Sequence, residues 1–335
     1  MRYVGKIMLL SKIKGGALYY AIFIMMILGL ISFLLLSYFE LTNREDTIFY
    51  KTTELEDNIE SAVTLISANP ELLPIQGDVE LDIFNNGEAL VSIEVSRWGM
   101  LRRVVFNAGW KHVSLQKVLL MAEKEESRPA LWMPERNRYI SLVGKSKILG
   151  DAYISKLGMR RGNIEGRYFE GAELHDGRLF TGDVEIPQLK EELLTWITNY
   201  HAGDVSAGDS LVSFSSGITN SNLRQSFLNN TIVLQASGKI VLDKGSYSDN
   251  ILIYTSDTIE VWPTIRLNEV ILMADVIIFK RECEVQLQAF ASKSLIVEDD
   301  CSFKYPSFIG AVGLQDTVLV DIGKGCSVNG GIICY

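Results

Sequence analysis

A long uncharged apolar run near the N-terminus constrains this chain more than any other feature. Residues 15–39 read GGALYYAIFIMMILGLISFLLLSYF and contain no charged side chain and no proline. About 20 consecutive apolar residues in a helix cross a hydrocarbon core of roughly 30 Å. The run therefore predicts a transmembrane helix at residues 15–39. Its membrane-anchor residues include Gly16, Ala17, Leu18 and Phe39.

The residues that flank the apolar run indicate its orientation. The cations that precede it are Arg2, Lys6, Lys12 and Lys14. Cations beside a membrane helix favour the cytoplasmic side. We therefore expect residues 1–14 to form a cytoplasmic leader, with the bulk of the chain in the periplasm or an equivalent space. The alternative is a cleaved signal peptide, but its apolar core is usually about 7–15 residues long and precedes a small-residue cleavage site.

The helical pattern continues beyond the membrane. Residues 40–68 contain neither glycine nor proline, and apolar side chains recur at spacings of seven, four, four and three. Those side chains are Ile48, Leu55, Ile59, Val63 and Ile66, which share one face of a helix. Asn69-Pro70 ends the pattern, since a residue before proline avoids helical geometry. We expect residues 40–74 to extend the same helix, with the stripe packed on the protein's own sheet or on other subunits.

Residues 75–135 predict a small antiparallel β domain. Val79, Leu81 and Ile83 alternate with polar residues, and residues 85–87 read Asn-Asn-Gly, a sequence that favours a hairpin turn. A partner strand follows at residues 90–95. A second pair of strands is predicted from the apolar patterns of residues 100–106 and 113–121, with a turn at 107–109. The domain is therefore predicted to be a meander of four strands.

This order of elements resembles the type IV pilin and pseudopilin superfamily. The stretch Lys14-Gly15-Gly16-Ala17-Leu18 is similar to the leader junction of the minor subunits of that superfamily. The resemblance implies processing by a leader peptidase after Gly15 or Gly16, a location in the bacterial inner membrane, and protein partners in a multi-subunit envelope complex. The chain departs from the major subunits, which carry a glutamate at the fifth mature position. Residues 19–21 here are Tyr-Tyr-Ala.

A repeat dominates the C-terminal half. Five equivalent positions are separated by 19, 18, 18 and 23 residues, and they are Ile240, Ile259, Ile277, Leu295 and Val318. Short apolar runs at this period predict that residues 136–335 form a parallel β-helix or related solenoid, in which each coil buries the next. Ile148 marks an earlier copy, and residues 156–230 are predicted to be an irregular insertion with a helix at 188–200. Residues 322–328 resemble a hexapeptide coil or the bactofilin pattern. The sequence is compatible with a left-handed or a right-handed solenoid.

The cysteines are confined to the last fifth of the chain, at Cys283, Cys301, Cys326 and Cys334. The first three each follow an apolar run by four residues. We expect them to stack inward in successive coils as free thiols, because buried cysteine packs as a small hydrophobe. A disulfide in an oxidising space is the alternative. The absence of a C-x-x-C pair argues against a zinc or thioredoxin-like site.

Composition and motifs narrow the class of function. Asp and Glu outnumber Lys and Arg by 41 to 32, which argues against nucleic-acid binding. The sequence shows no paired metal-ligand motif, phosphate loop, dinucleotide fingerprint or nucleophile elbow. We therefore predict no catalytic activity, no cofactor and no metal site. The acids at positions 282, 284, 299 and 300 are the only candidates for a carbohydrate-active site.

These features together predict a mainly β protein with one long N-terminal helix, in the order transmembrane helix, antiparallel meander and solenoid. The expected function is that of a non-enzymatic structural subunit or adaptor of a cell-envelope assembly, such as a pilus-like or secretion machine. It would bind protein partners through the long helix and the solenoid. One alternative is a membrane-anchored carbohydrate-active β-helix enzyme, which would contact a glycan. Another is a self-assembling bactofilin-like scaffold.

Overall fold

The chain divides into two compact units in the computed structural model. The described residues are 15–84, 87, 90–122, 129–164, 166–185, 188–201, 209–214, 222–313 and 317–335. The first unit contains the described part of Met1–Ser67, Glu80–Ser92 and Phe106–Gln116. The second contains the described parts of Ala68–Val79, Ile93–Val105 and Lys117–Tyr335. The predicted leader, residues 1–14, lies outside the described residues.

A single helix, α1, spans Gly15–Ala68 and contains 54 residues. This confirms that the apolar segment continues without a break into the next stretch of helix. At 1.5 Å per residue, α1 is about 80 Å long. It ends before Asn69, whose backbone is not helical, and Pro70–Leu72 form one 3-10 turn. The helix is therefore shorter than the predicted extension to residue 74, because proline cannot supply the amide hydrogen bond that would continue it.

The buried face of α1 is confined to its C-terminal turns. Leu55, Ile59, Ala62 and Ile66 are each less than 9% exposed. Ile48, which the predicted stripe included, remains 39% exposed. In the same unit, the strand segments contribute the buried apolar side chains Val91, Phe106 and Ala108. The apolar stripe of the last turns therefore belongs to the core of the first unit.

Four strands form a sheet in the order β1-β2-β3-β4. They are β1 Gly77–Asp82, β2 Leu90–Trp98, β3 Leu101–Trp110 and β4 Val113–Met121. Two residues join β2 to β3, and two join β3 to β4, which is too short for parallel pairing. The predicted turn at 107–109 is wrong, because β3 continues through it. The turn is at Lys111-His112, where Lys111 has a φ of 53°.

The second unit contains a series of short strands before its α-helix. These strands are β5 Leu131–Trp132, β6 Ile140–Leu142, β7 Ile148–Leu149, β8 Ala152–Ile154, β9 Met159–Arg161, β10 Asn163–Ile164, β11 Arg167–Tyr168, β12 His175–Asp176 and β13 Leu179–Thr181. β8 pairs in parallel with β5 and β13, β6 with β9, and β7 with β12. Parallel pairing thus occurs within residues 159–181, beside the antiparallel pair of β10 with β11, although this range was predicted to be an irregular insertion. Strands of two or three residues are too short to show alternation in the sequence.

The remaining strands build a parallel β-solenoid. They are β14 Ser210–Ser213, β15 Asn222–Gln225, β16 Ile232–Ala236, β17 Ile240–Leu242, β18 Ser246–Asp249, β19 Ile251–Thr255, β20 Thr258–Val261, β21 Arg266–Phe279, β22 Glu284–Val297, β23 Ser302–Ala311, β24 Leu319–Ile322 and β25 Ser327–Cys334. Three parallel ladders run through β21 and β22, which are long enough to contribute to all three. Register shifts after Asn268 and after Ala274 divide β21 into one segment for each ladder.

The strand register tests the predicted repeat residue by residue. The confirmed partners are Ile240 with Ile259, Ile259 with Ile277, and Ile277 with Leu295. The last predicted equivalence is wrong, because Leu295 pairs with Val320 and not with Val318. A longer connection between β23 and β24 changes the spacing of that coil, so counting residues alone misplaces the register by two.

The middle ladder is buried on both of its faces. Ile251 and Ile253 of β19 point into the interior cluster, while Leu252 and Tyr254 belong to a second cluster on the other face. The helix α2 spans Glu191–His201, close to the helix predicted at 188–200. It contributes Leu193 to this second cluster. Covering by α2 explains why the strand is apolar at consecutive positions, since neither face meets water.

The tip of the β2–β3 hairpin is fastened to the solenoid by one buried amide. Gln288 is 4% exposed. Its Nε2 donates to the carbonyl of Trp98 at 3.0 Å, and its Oε1 accepts from the amide of Met100 at 2.6 Å. Gly99 lies between them with a φ of 61°, and a Cβ at that position would be 2.1 Å from Oε1 of Gln288. The contact therefore requires glycine.

We expect Gly99→Ala to weaken the docking of this hairpin tip. Gly87→Ala is the matched control, because Gly87 also has a positive φ, of 71°, but has no atom within 4 Å of an added Cβ. Both variants acquire left-handed strain, and only Gly99→Ala also crowds Gln288, which should cost roughly 1–3 kcal/mol more. Amide hydrogen exchange of residues 94–103 and thermal unfolding of the full chain measure the difference. Equal effects of the two substitutions would contradict this account.

Candidate functional site

The predicted membrane segment is exposed at every residue from Leu18 to Phe39. Among the described residues, α1 is the helix long and apolar enough to span a membrane. Leu18 is 64% exposed and Phe39 is 60% exposed. Gly15 begins the helix, Ala17 lies within it, and Gly16 has no atom within 4 Å of an added Cβ. A helix segment whose apolar side chains are exposed on all sides is suited to contact with lipid tails.

A second exposed stretch of α1 follows the apolar segment. This exposed helical segment, residues 40–54, spans about 22 Å of helix. Its exposed apolar side chains are Leu41, Ile48, Phe49 and Tyr50, with exposed fractions of 55%, 39%, 68% and 71%. Leu41 and Ile48 precede the buried Leu55 at intervals of seven, so they lie on the face that is buried farther along. The apolar stripe thus extends beyond the part that the first unit covers.

Several polar groups of the exposed helical segment have their partners within the helix itself. The hydroxyls of Thr47, Thr52 and Thr53 donate to the carbonyls four residues earlier, at 2.7, 2.8 and 3.1 Å. Lys51 forms an ion pair with Glu54 at 2.6 Å. These hydroxyl groups and this ion pair already have partners on the helix, so the exposed aromatic and aliphatic side chains and the remaining charged side chains, Glu40, Arg44, Glu45 and Asp46, are the groups that a neighbouring molecule could contact.

Three cysteines occupy one corner of the solenoid in successive coils. Cys283 and Cys301 are buried, and Cys326 is half-buried. Each thiol donates to a carbonyl of the preceding coil, namely Cys283 to Val261 at 3.3 Å, Cys301 to Lys280 at 3.1 Å, and Cys326 to Glu298 at 3.1 Å. All are free thiols. Burial raises the pKa of the Cys283 thiol to about 12 and also raises the pKa of Cys301.

The acids considered for carbohydrate chemistry occupy the same corner. Asp299 accepts hydrogen bonds from the Lys324 amide at 2.8 Å and from Arg281 at 2.9 Å, which lowers the pKa of its carboxyl. Glu284 pairs with Lys304 at 2.6 Å, and its pKa is lowered too. Glu282 and Asp300 adopt φ values of 65° and 61° directly before the buried cysteines. The carboxylate of Asp299 thus helps to build a turn between coils, and that of Glu284 joins one strand to the next.

A polar cleft in the second unit was not predicted from the sequence. This hairpin cleft has a volume of about 840 Å³, and it is formed by residues 75–76, the β2–β3 hairpin, α2, and residues 209, 228, 230 and 231. The side chains that give it its chemical character are Glu94, Arg97, Arg103, Glu192, Trp196 and Asn230. Arg97 joins two walls, because its Nη2 donates to Glu192 at 3.0 Å and its Nη1 to the Gly99 carbonyl at 3.4 Å. No described group of three or more His, Cys, Asp or Glu residues could hold a metal ion.

We expect the buried thiols to resist alkylation while the exposed one reacts. At pH 8, a thiol with the pKa of Cys283 is ionised to roughly one part in ten thousand, and the thiolate is the reactive form. Iodoacetamide should therefore modify Cys334, which is exposed, long before Cys283 or Cys301. Peptide mass spectrometry measures the order, and labelling in denaturant is the control. Similar rates at all four positions in the folded protein would refute the buried stack.

Comparisons of this chain with models of protein families, with curated proteins and with solved structures found no match. Its function is therefore inferred from its own residues and their geometry.

Proposed function

We propose that this protein is a non-enzymatic, membrane-anchored structural subunit or adaptor of a bacterial cell-envelope assembly. Residues 15–39 would cross the inner membrane, with the N-terminus in the cytoplasm and the bulk of the chain in the periplasm. The four cations before the apolar run support this orientation. The order of long helix, hairpin sheet and further domain supports a pilin-like subunit of a pilus-like or secretion machine.

The exposed helical segment is the observation that carries this proposal. It displays Phe49 and Tyr50 at 68% and 71% exposure on a helix outside the predicted membrane segment. Large aromatic side chains are enriched in protein–protein interfaces and contribute much of their binding energy. A rigid helix also loses little conformational entropy when it is covered, which favours binding by this element. Successive residues of a helix point about 100° apart, so Tyr50 lies opposite Leu41 and Ile48, and neighbouring proteins on more than one side of the segment would bury these side chains.

The solenoid supports an adaptor role in a different way. Its ladders fix the positions of outward side chains over many coils, and parallel coils present an extended surface to partners. Ion pairs between coils, such as Lys280 with Glu298 at 2.9 Å and Lys293 with Asp275 at 2.6 Å, hold charged side chains in register on that surface. Such a surface is suited to repeated weak contacts with another protein.

Site-specific photocrosslinking tests the role of the exposed helical segment. A photoreactive phenylalanine analogue replaces Phe49 or Tyr50 in the full chain, expressed in its native membrane. We expect adducts with other proteins from both positions. The same analogue at Phe84, which is 61% exposed but follows β1 and is not part of α1, is the matched control. Adducts of the chain with itself would favour the self-assembling scaffold instead.

Alanine substitution measures how much the same side chains contribute to partner binding. We expect Phe49→Ala with Tyr50→Ala to reduce co-purification of partners from mild detergent by roughly tenfold or more, because interface aromatics often contribute about 2 kcal/mol each. The fold should be unchanged, since both side chains are exposed. A monodisperse monomer without partners, together with no photoadducts at either position, would refute the proposal.

A further inference from the structure

A smaller cavity of the second unit lies beside the end of β4. This β4 cavity has a volume of about 400 Å³. Its walls include the C-terminal part of β4, Phe227, Glu269 of β21, and Tyr305 and Pro306 of β23. Ligand sites in proteins commonly have volumes of about 300–1,000 Å³, so this cavity has room for a group from another molecule.

The strand β4 lies at the edge of its sheet. In the order β1-β2-β3-β4 it pairs with β3 alone, and no backbone hydrogen bond joins residues 118–121 to any other described segment. These residues read Val-Leu-Leu-Met and are half-buried. An edge strand presents a row of N–H and C=O groups to which another strand can pair, and these four residues lack the charge or proline that commonly prevents such pairing. The edge is therefore suited to accept an added strand.

The side chains of an added strand would reach the β4 cavity. Val118 and Leu120 pack against the second cluster, on the outer face of the solenoid's middle ladder. Side chains alternate between the two faces of a strand, and those on the same face of neighbouring strands lie close together. Every second side chain of a strand added at β4 would therefore point toward the cavity. There it would meet the apolar surface of Phe227 and the carboxylate of Glu269.

Glu269 determines which side chain suits this cavity. It is half-buried, and its Oε1 accepts a hydrogen bond from Nε2 of Gln286 at 3.5 Å, which is long for such a bond. Burial, and after it the negative charge of Asp249, raise the pKa of the Glu269 carboxyl, and no described cation offsets them. A cation beside a desolvated carboxylate stabilises its charged form. A lysine or arginine side chain therefore fits this position, and an acidic side chain does not.

Tyr305 favours the same kind of side chain. It lines the β4 cavity and is 75% exposed. The face of a tyrosine ring attracts the cation of lysine or arginine. A second copy of the chain is a poorer occupant, because residues 118–121 of its own β4 would bring no cation to Glu269.

We propose that the free edge of β4 and the β4 cavity together bind an extended segment of a partner protein. The segment adds to the sheet as a strand beside residues 118–121 and places a lysine or arginine side chain next to Glu269. Backbone hydrogen bonds to the edge supply affinity, and the cavity supplies specificity. This site adds a second partner-binding surface to the proposed adaptor role. It is tested with peptides and not with co-purified partners, so the two proposals can fail separately.

Synthetic peptides test the site directly. The probe is a fluorescent peptide, Thr-Val-Thr-Lys-Thr-Val-Thr, whose lysine shares one face of the strand with the two valines. Fluorescence anisotropy measures its binding to the full-length chain in nanodiscs of zwitterionic lipid, which carry no net charge. We expect saturable binding, and binding weaker by roughly tenfold or more when glutamate replaces the lysine. No binding of the lysine peptide, or equal binding of both peptides, would overturn the proposal.

Methylation of the peptide backbone tests whether the peptide pairs as a strand. The N–H groups of alternate residues point to opposite edges of a strand. Two versions of the lysine peptide carry N-methyl groups on alternate residues, each version blocking one edge. We expect one version to lose binding and the other to keep it, because only one edge of the peptide pairs with β4. Binding of both versions would contradict strand addition. Dimers of the chain that the peptide dissociates, detected by light scattering, would assign the edge to a second copy and also overturn the proposal.

A glutamate substitution locates the peptide in the cavity. Glu269→Gln removes the negative charge, and Glu282→Gln is the matched control. Both residues have a positive φ, of 56° and 65°, but Glu282 is exposed and is not part of the cavity. We expect Glu269→Gln to bind the lysine peptide roughly tenfold more weakly and to lose most of the preference for lysine over glutamate, and Glu282→Gln to change neither. An unchanged preference in Glu269→Gln would place the peptide elsewhere and refute the site.

Discussion

The parallel pairing of each solenoid coil with the next is the interaction on which the second unit depends. β21 and β22 are joined from Asn268 and Gln286 through to Phe279 and Val297, across all three ladders. One coil alone would leave its inward side chains and its backbone groups in water, so neighbouring coils stabilise one another. The middle ladder adds a second buried face, where Phe290 packs with Trp98 and α2. The hairpin cleft exists because these outer elements rest on a surface that the ladder has made rigid.

The helix α1 obeys a different constraint, since its environment changes along its length. Its residues are exposed and apolar up to Phe39, exposed and mixed from 40 to 54, and partly buried in the first unit from Leu55 onward. A helix without tertiary contacts is marginal in water. Here the middle segment is continuous with helix on both sides, so nucleation is already complete. One helix therefore contains an exposed apolar segment, an exposed mixed segment and a partly buried segment, and these differ in their side chains and not in their backbone structure.

Sequence patterns predicted the fold where strands are long and regular. The apolar positions Ile240, Ile259 and Ile277 identified the pairing of three coils, and Pro70 correctly indicated the end of α1. The pattern failed at Val318, where a connection changes length, and at residues 159–181, where strands are too short to alternate.

The hairpin cleft could not be predicted from the sequence for another reason. Arg97 and Glu192 are 95 residues apart in the sequence, and only the docking of the hairpin and α2 on one ladder brings them together.

The buried residues that precede successive long strands at one corner of the solenoid form a column, and their chemistry shows which substitutions the corner accepts. Ile265 precedes β21 by one residue, just as Cys283 precedes β22, and both are buried in the same cluster. An aliphatic side chain and a thiol thus occupy equivalent places in successive coils. The position therefore accepts an apolar side chain of either kind and does not require a thiol. Coils with the same turn geometry and the same interior size present equivalent surfaces to their neighbours. Duplication or deletion of one such coil would leave the coils on either side with neighbours of the same kind, so the length of a solenoid of this kind is open to change.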